Sequence, residues 1–313
     1  MSEVRIRPRQ VLILIIVFLV VLMMVHRNGK RTCQGPEYLQ AMFVQGDTLP
    51  TIYAVTPTYP RPAQKAELTS NAPYSNRLSH LFMLLPHLHW IIVEDTNATT
   101  PLVRNLLDRA GLEKRSTLLN IKTPSEFKLK GKDPNWIKPR GVEQRNLALA
   151  WLRNHVDVDR HSIVFFMDDD NSYSTELFAE MSKIERGRVG VWPVGLVGGL
   201  MVERPLLTED GTKVTGFNAA WRPERPFPID MAAFAISMDL FIRNPQATFS
   251  YEVQRGYQES EILRHLTTRD QLQPLANRCT DVLVWHTRTE KTKLAAEEAL
   301  LKKGQRSDGG MEV

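Results

Sequence analysis

The chain has 313 residues, 42% hydrophobic and 24% charged, with a formal net charge of +5. That is ordinary globular composition, with length for one large domain or two smaller ones. Two cysteines, Cys33 and Cys279, exclude a cysteine metal cluster and a disulfide framework, while the mildly basic balance fits either anionic partners or a solvated Lys/Arg surface.

The first element is an unbroken apolar run of 15 residues, Val11 to Val25, with arginines at 5, 7 and 9 before it and Arg27, Lys30 and Arg31 after it. It is shorter than the ~20 residues of a typical span, but no small-residue cleavage pattern follows it. An uncleaved anchor, lengthened by snorkelling arginines, is expected, and a short span suits the thinner membranes of the early secretory pathway. Residues 1–10 are then a cytoplasmic tail, 11–25 the anchor and 26–49 a stem. Cys33 falls in the stem, where it either bridges to a second chain or stays a free thiol. A short N-terminus and a large C-terminal body favour a lumenal body, in which the sequon Asn97-Ala98-Thr99 is usable.

From Thr51 onward, short apolar runs end in polar clusters: TIYAVTPTY, LHWIIVED ending at Asp95, SIVFFMDDD ending at Asp170, and VGVWPVG from Val189. Helical patterns lie between them, PLVRNLLDRAGL from Pro101 and VEQRNLALAWLRNHV from Val142. The alternation predicts an α/β fold with a mostly parallel sheet, and ligands of such sheets collect at the carboxyl ends of the strands. QKAELT from Gln64 and RLSHLFMLLP from Arg77 read as one amphipathic helix interrupted by Ser70 to Asn76. Those residues are either a surface loop or an error in the gene model. Loops rich in Trp, Arg, Pro and Gly dominate the second half. TKLAAEEALLKKG then predicts a last helix, with Glu298 and Lys302 four apart and Gly304 as C-cap.

The acidic triplet Asp168-Asp169-Asp170 calls for an explanation, because neighbouring carboxylates repel and burial worsens the repulsion. A hard divalent cation needs oxygen ligands and keeps open positions for water or phosphate. Adjacent strand residues point to opposite faces, so one direct ligand is expected. The cation would neutralise a diphosphate leaving group. The alternative is an acidic turn, with Asp and Asn capping the helix STELFAEMSKI.

FMDDDNSYSTELF, PTYPRPAQKAEL, HWIIVED, PRGVEQRNLAL, VWPVGLVGGL, RPFPIDMAAFAI, GYQESEILRHL and VLVWHTRTEK together resemble the β-1,3-glucuronyltransferases, glycosyltransferase family 43. The resemblance runs from about Thr51 to the C-terminus. It implies a GT-A-like fold, with a UDP-sugar-binding half at 50–190 and an acceptor-binding half at 191–313 that ends in a C-terminal dimer segment. It also implies a Golgi, single-pass type II membrane protein that is a homodimer and binds no nucleic acid. Its donor is UDP-glucuronate and its metal is Mn2+. The reaction implied is inverting transfer of glucuronate to the 3-hydroxyl of a terminal galactose. VEQRNLAL and HTRTEK…RSDGGMEV look closest to the branch acting on Gal-β1,3-Gal of the proteoglycan linkage region, with N-acetyllactosamine of glycoproteins as the alternative acceptor.

The resemblance makes Asp170 the Mn2+ ligand, with Asp168 and Asp169 near the ribose and outer shell, and places Tyr59 and Asp95 around the uridine. For Asp95 the plain alternative is a helix cap. Arg140 and Arg145 flank a Gly-containing turn; their guanidinium forks suit diphosphate and carboxylate oxygens, though two surface arginines on an amphipathic helix read the same way. His286 and Arg288 have alternate spacing and are implied to clamp phosphate and the glucuronate carboxylate, with a satisfied strand-end histidine as the plain alternative. Glu259 is the implied general base, on a helix start that favours the ionised form; a structural helix-start glutamate is the plain alternative, and Glu261 lies close by. Glu203, Arg225 and Asp230 match polar acceptor positions and Trp221 an aromatic one, with a core role as its alternative. Ala233 departs from the family's usual Gly, and an added methyl near a sugar pocket could narrow it. A nucleotide-sugar hydrolase or a GT-A transferase with another donor sugar is one competing class, and a non-catalytic sugar-binding protein the other; the last would need Asp170 or Glu259 to be missing.

Overall fold

The computed structural model of the chain describes residues 49–69, 78–129, 133, 137–287, 293–309 and 311–312. The expected tail and anchor, Cys33, the 70–76 segment, Arg288 and all but the last residue of the expected stem lie outside them. No helix among the described residues is long and apolar enough to cross a membrane.

The larger sheet has seven strands. In chain order these are β1 (Thr51–Thr58), β2 (Leu88–Glu94), β3 (Ser116–Asn120), β4 (Ser162–Phe166), β6 (Val189–Val191), β10 (Phe234–Ser237) and β11 (Gln273–Pro274). Across the sheet the order is β11-β6-β10-β4-β1-β2-β3. Strands β4, β1, β2 and β3 run parallel, and β10 is antiparallel to both β4 and β6. All of β4 is buried, which is why SIVFF is an unbroken apolar run rather than an alternating one. Trp90, Phe165, Phe166 and Trp192 fill the core without exposure above 1%.

The smaller sheet has the order β5-β12-β7-β8-β9, from β5 (Ser172–Tyr173), β7 (Val194–Gly195), β8 (Val202–Leu207), β9 (Val214–Asn218) and β12 (Val284–Trp285). The halves 50–190 and 191–313 therefore interleave: β10 and β11 complete the first sheet, and β5 joins the second. All of these strands belong to one compact unit, Thr48–Val313.

Among the described residues the right-handed α-helices are α1 (Gln64–Thr69), α2 (Leu78–Leu84), α3 (Pro101–Arg109), α4 (Val142–His155), α5 (Thr175–Met181), α6 (Met238–Arg243), α7 (Gln258–Leu263) and α8 (Ala295–Leu301). Helix α5 is capped by Ser174, whose Oγ accepts from the Glu176 N–H, and not by an Asp or Asn of the triplet. Helix α8 forms where expected, but Glu298 and Lys302 make no ion pair; Glu297 instead accepts from the Ser307 N–H at 3.3 Å. With no residue of α8 buried, nothing holds those two long side chains in one geometry.

Candidate active site

Parallel pairing brings three strand ends to one edge. Thr58 is in register with Glu94, and Val55 with Phe166. Tyr59, Asp95 and the triplet therefore leave the sheet together, at the carboxyl ends where α/β folds bind ligands. Glu94 is buried and occupied: its carboxylate accepts from the Thr100 N–H and hydroxyl, both at 2.7 Å. Glu94 thus ties down the start of α3, the job the plain alternative assigned to Asp95. Asp95 accepts from the Thr123 N–H at 2.7 Å and faces Lys128 Nζ at 3.5 Å.

Two of the three aspartates hold guanidinium partners. Arg145 Nη2 donates to Asp168 Oδ1, and Arg61 Nη2 to Asp169 Oδ2, each at 2.6 Å. Arg145 lies on the buried face of α4 with Val142, Ala148, Leu149 and Leu152, so it is no surface arginine. Gly141, at φ +72°, makes its position possible; a Cβ there would stand 2.7 Å from Arg145 Nη1. Arg140 stays exposed, and its carbonyl accepts from Arg145 Nη1 at 2.8 Å.

Asp170 differs from its neighbours. Its backbone carbonyl accepts from Thr287 Oγ1 at 2.7 Å, but no hydrogen bond or ion pair reaches its carboxylate among the described residues. Burial, with repulsion from Asp168 and Asp169, pushes its carboxyl up to about 6, against the weaker pull of His286 and Arg140. A carboxylate of this kind fits a cation. The described residues hold no group of three or more His, Cys, Asp or Glu side chains placed to bind a metal.

The second sheet gathers the other cluster. Trp285 pairs with Ser172 and with Gly195, Val194 pairs with Glu203, and the His286 N–H donates to the Gly195 carbonyl at 2.9 Å. His286 is thereby placed beside the triplet on one side and the Glu203 strand on the other. Its Nδ1 lies 3.3 Å from Asp230 Oδ2, and that contact raises the imidazole's affinity for a proton. Burial drives the Asp230 carboxyl up, but His286 and the Ala232 N–H outweigh it and leave the group below its ordinary value. The Glu203 carboxyl is raised, by burial first and by Asp230 as a nearby charge.

Glu259 completes this cluster. Burial first, then the Asp230 charge, push its carboxyl up to about 7. The expectation that the helix start favours the ionised form is corrected: α7 is only six residues long, and burial prevails. Glu261, two positions on, points to its own helix, 2.6 Å from Arg264 and 3.5 Å from His265. Only Glu259 of the two joins the cluster. Arg225 donates to the carbonyls of Gly256 at 2.7 Å and Trp221 at 3.3 Å, and its guanidinium lies 4.8 Å from the centre of the Trp221 ring. Ala233 is buried; its carbonyl accepts from the Trp192 N–H at 3.0 Å, where the methyl packs in the core.

A sequence model of glycosyltransferase family 43 matches residues 78–290. The chain belongs to glycosyltransferase family 43. It is 98% identical over 313 residues, all of both chains, to galactosylgalactosylxylosylprotein 3-beta-glucuronosyltransferase I of Drosophila melanogaster. It is 49% identical over 277 residues to the human galactosylgalactosylxylosylprotein 3-beta-glucuronosyltransferase 3, covering 85% of this chain and 79% of that one. Among solved structures, S. aureus TarS 1-349 in complex with UDP superposes with a TM-score of 0.48 at 13% identity, over 76% of this chain and 61% of that one, an overlap too partial to bear on activity.

Within this family 43 chain, the structure brings Tyr59, Asp95, Arg140, Arg145 and Asp168 to Asp170 to one edge, and Glu203, Trp221, Arg225, Asp230, Glu259 and His286 to a second cluster joined to it through His286. Arg288 lies outside the described residues. Arg61, Lys128 and Thr287 escaped the sequence reading. Arg61 stands inside PTYPRPAQKAEL, but no periodicity distinguishes a buried arginine in a turn from a solvated one.

Proposed function

We propose that the chain transfers glucuronate from UDP-glucuronate to the 3-hydroxyl of the terminal galactose of Gal-β1,3-Gal in the proteoglycan linkage region, with inversion. The observation that carries this is the 98% identity, over all 313 residues, to the Drosophila glucuronosyltransferase I. The donor's uridine lies at Tyr59 and Asp95, with its diphosphate toward Arg140 and the triplet and its sugar between His286 and Glu259.

Glu259 takes the proton from the galactose hydroxyl as that oxygen attacks C1 of glucuronate. The C1–O bond to the diphosphate breaks on the opposite face, and UDP leaves with the electron pair. A carboxyl poised near 7 is a better base than an ordinary glutamate, yet still ionises near neutral pH. Asp230 and Glu203 accept from galactose hydroxyls, and Trp221 offers its ring to the sugar's apolar face. Asp170 would hold Mn2+, which when bound neutralises charge developing on the diphosphate. Asp168 and Asp169, already paired with Arg145 and Arg61, would compete less with the diphosphate for a cation held there.

Residues 11–25 support a type II Golgi anchor with a lumenal body, and the family resemblance supports a homodimer. Asn97 is exposed, as an N-glycan requires. A mobility shift on glycosidase treatment, lost in Asn97→Gln, tests the lumenal placement; a protein insensitive to the enzyme counts against glycosylation at this site. The reaction is tested with UDP-glucuronate, Mn2+ and either Gal-β1,3-Gal or N-acetyllactosamine. Preferential glucuronylation of the first supports the reading, and preference for the second overturns the acceptor.

A further inference from the structure

Arg61 occupies a turn between Pro60 and Pro62, after β1 and before α1. Its guanidinium lies 4.3 Å from the centre of the Tyr59 ring. Nη1 donates to the Tyr59 carbonyl at 3.0 Å and to Thr58 Oγ1 at 3.4 Å. Nη2 donates to Asp169 Oδ2 at 2.6 Å and also contacts the Glu67 carboxylate on α1. The Arg61 side chain is only 14% exposed and that of Asp169 11%, so these contacts are poorly screened by solvent.

This is one planar cation with two working surfaces. It sits over an aromatic ring, and its N–H groups hold two carboxylates, a carbonyl and a hydroxyl. A guanidinium can do both at once because its five donors lie in one plane, whereas an ammonium is a point charge with no face to stack. Tyr59 is 49% exposed, so its ring needs support from beneath to present a fixed face to a ligand.

We infer that Arg61 is a positioning residue for the donor nucleotide: it fixes the Tyr59 ring that meets the base and the Asp169 carboxylate beside the ribose, without touching the donor itself. The inference rests on the reading that the edge carrying Tyr59, Asp95 and the triplet binds UDP-glucuronate. Removing Arg61 would free the ring and leave the Asp169 charge without its guanidinium partner beside an anionic ligand. Both effects weaken nucleotide binding, and neither touches the cluster around Glu259.

The test compares the wild-type protein with Arg61→Met and Arg61→Lys. Calorimetric titration of UDP in the presence of Mn2+ gives Kd, and steady-state rates give donor KM, acceptor KM and kcat. Loss of the charge-assisted contacts in Arg61→Met is expected to raise the UDP Kd and donor KM by ~10-fold, with kcat at saturating donor within about threefold of wild type. Acceptor KM stays unchanged. Arg61→Lys, which keeps the charge but not the stacking plane, is expected to recover part of the loss, leaving UDP binding ~3-fold weaker. An unchanged UDP Kd in either variant overturns the inference, as does an equal loss in acceptor KM and kcat. If Arg61→Met does not fold, the lysine variant alone decides. Asp170→Asn separates this inference from the reading beneath it. Full transfer by Asp170→Asn sinks the donor-site reading. Loss of transfer there, with normal UDP binding by either Arg61 variant, sinks only the role of Arg61.

Discussion

Arg225 Nη1 stands 4.0 Å from Glu259 Oε2. The guanidinium is committed elsewhere, to the carbonyls of Gly256, Trp221 and Arg222 at 2.7, 3.3 and 3.3 Å. At that distance its charge only partly offsets burial and Asp230, which together push the Glu259 carboxyl up.

The first consequence concerns pH. If Glu259 is the base, its carboxyl pushed up to about 7 means that kcat/KM should fall as pH drops through that value. Asp230 raises the Glu259 carboxyl, so Asp230→Asn should move this acidic limb to lower pH, whatever it does to the absolute rate. Glu259→Gln should lose roughly 10²–10⁴-fold in kcat. An acidic limb near 4.5 would show that burial is not what tunes the base.

Stability should follow the same group with a definite sign. The folded-state value of Glu259 lies above its ordinary 4.5, so its contribution is fully present below that value and is lost as pH rises through about 7. Glu259→Gln should therefore gain in Tm over wild type at pH 8, and the gain should shrink by pH 5. Thermal unfolding at the two pH values checks this; a gain independent of pH contradicts it.

Gly256 should tolerate no side chain. Its φ is +70°, and a Cβ would stand 2.3 Å from the Trp221 ring. Gly256→Ala is expected to cost about 1–3 kcal/mol and to displace Trp221, raising acceptor KM while UDP binding is unchanged. Calorimetry with UDP beside acceptor kinetics separates the two sites.

Arg145 should behave as a partner of Asp168 rather than as a free surface cation. Arg145→Met breaks a 2.6 Å ion pair whose arginine side is 9% exposed, and is expected to cost roughly 2–4 kcal/mol by chemical denaturation. Arg145→Lys should not restore it, because Nη1 also holds the Arg140 carbonyl at 2.8 Å.

Much of this was legible in the sequence, for identifiable reasons. Apolar runs that stop at polar clusters reveal β4 and the strand-end placement of Asp95 and the triplet, and the fold places them there. The burial of Arg145 was not legible. A helix carrying Val142, Ala148, Leu149 and Leu152 on one face says which face is inward, but an arginine on that face still needs a partner, and Asp168 is 23 residues away. Arg61 was hidden for the same reason, since its partner Asp169 is 108 residues distant. The proton affinity of Glu259 was misread because helix position is local, whereas burial beside Asp230 depends on the whole fold.

The most direct measurement is product formation from UDP-glucuronate and Gal-β1,3-Gal, followed by mass spectrometry for wild type, Asp170→Asn and Glu259→Gln, each with Mn2+ and with chelator. The expected outcome is a single glucuronate added by the wild-type protein with Mn2+, almost none after chelation, and almost none from either variant. Undiminished transfer by fully chelated protein, or by Glu259→Gln, would contradict the site as assigned.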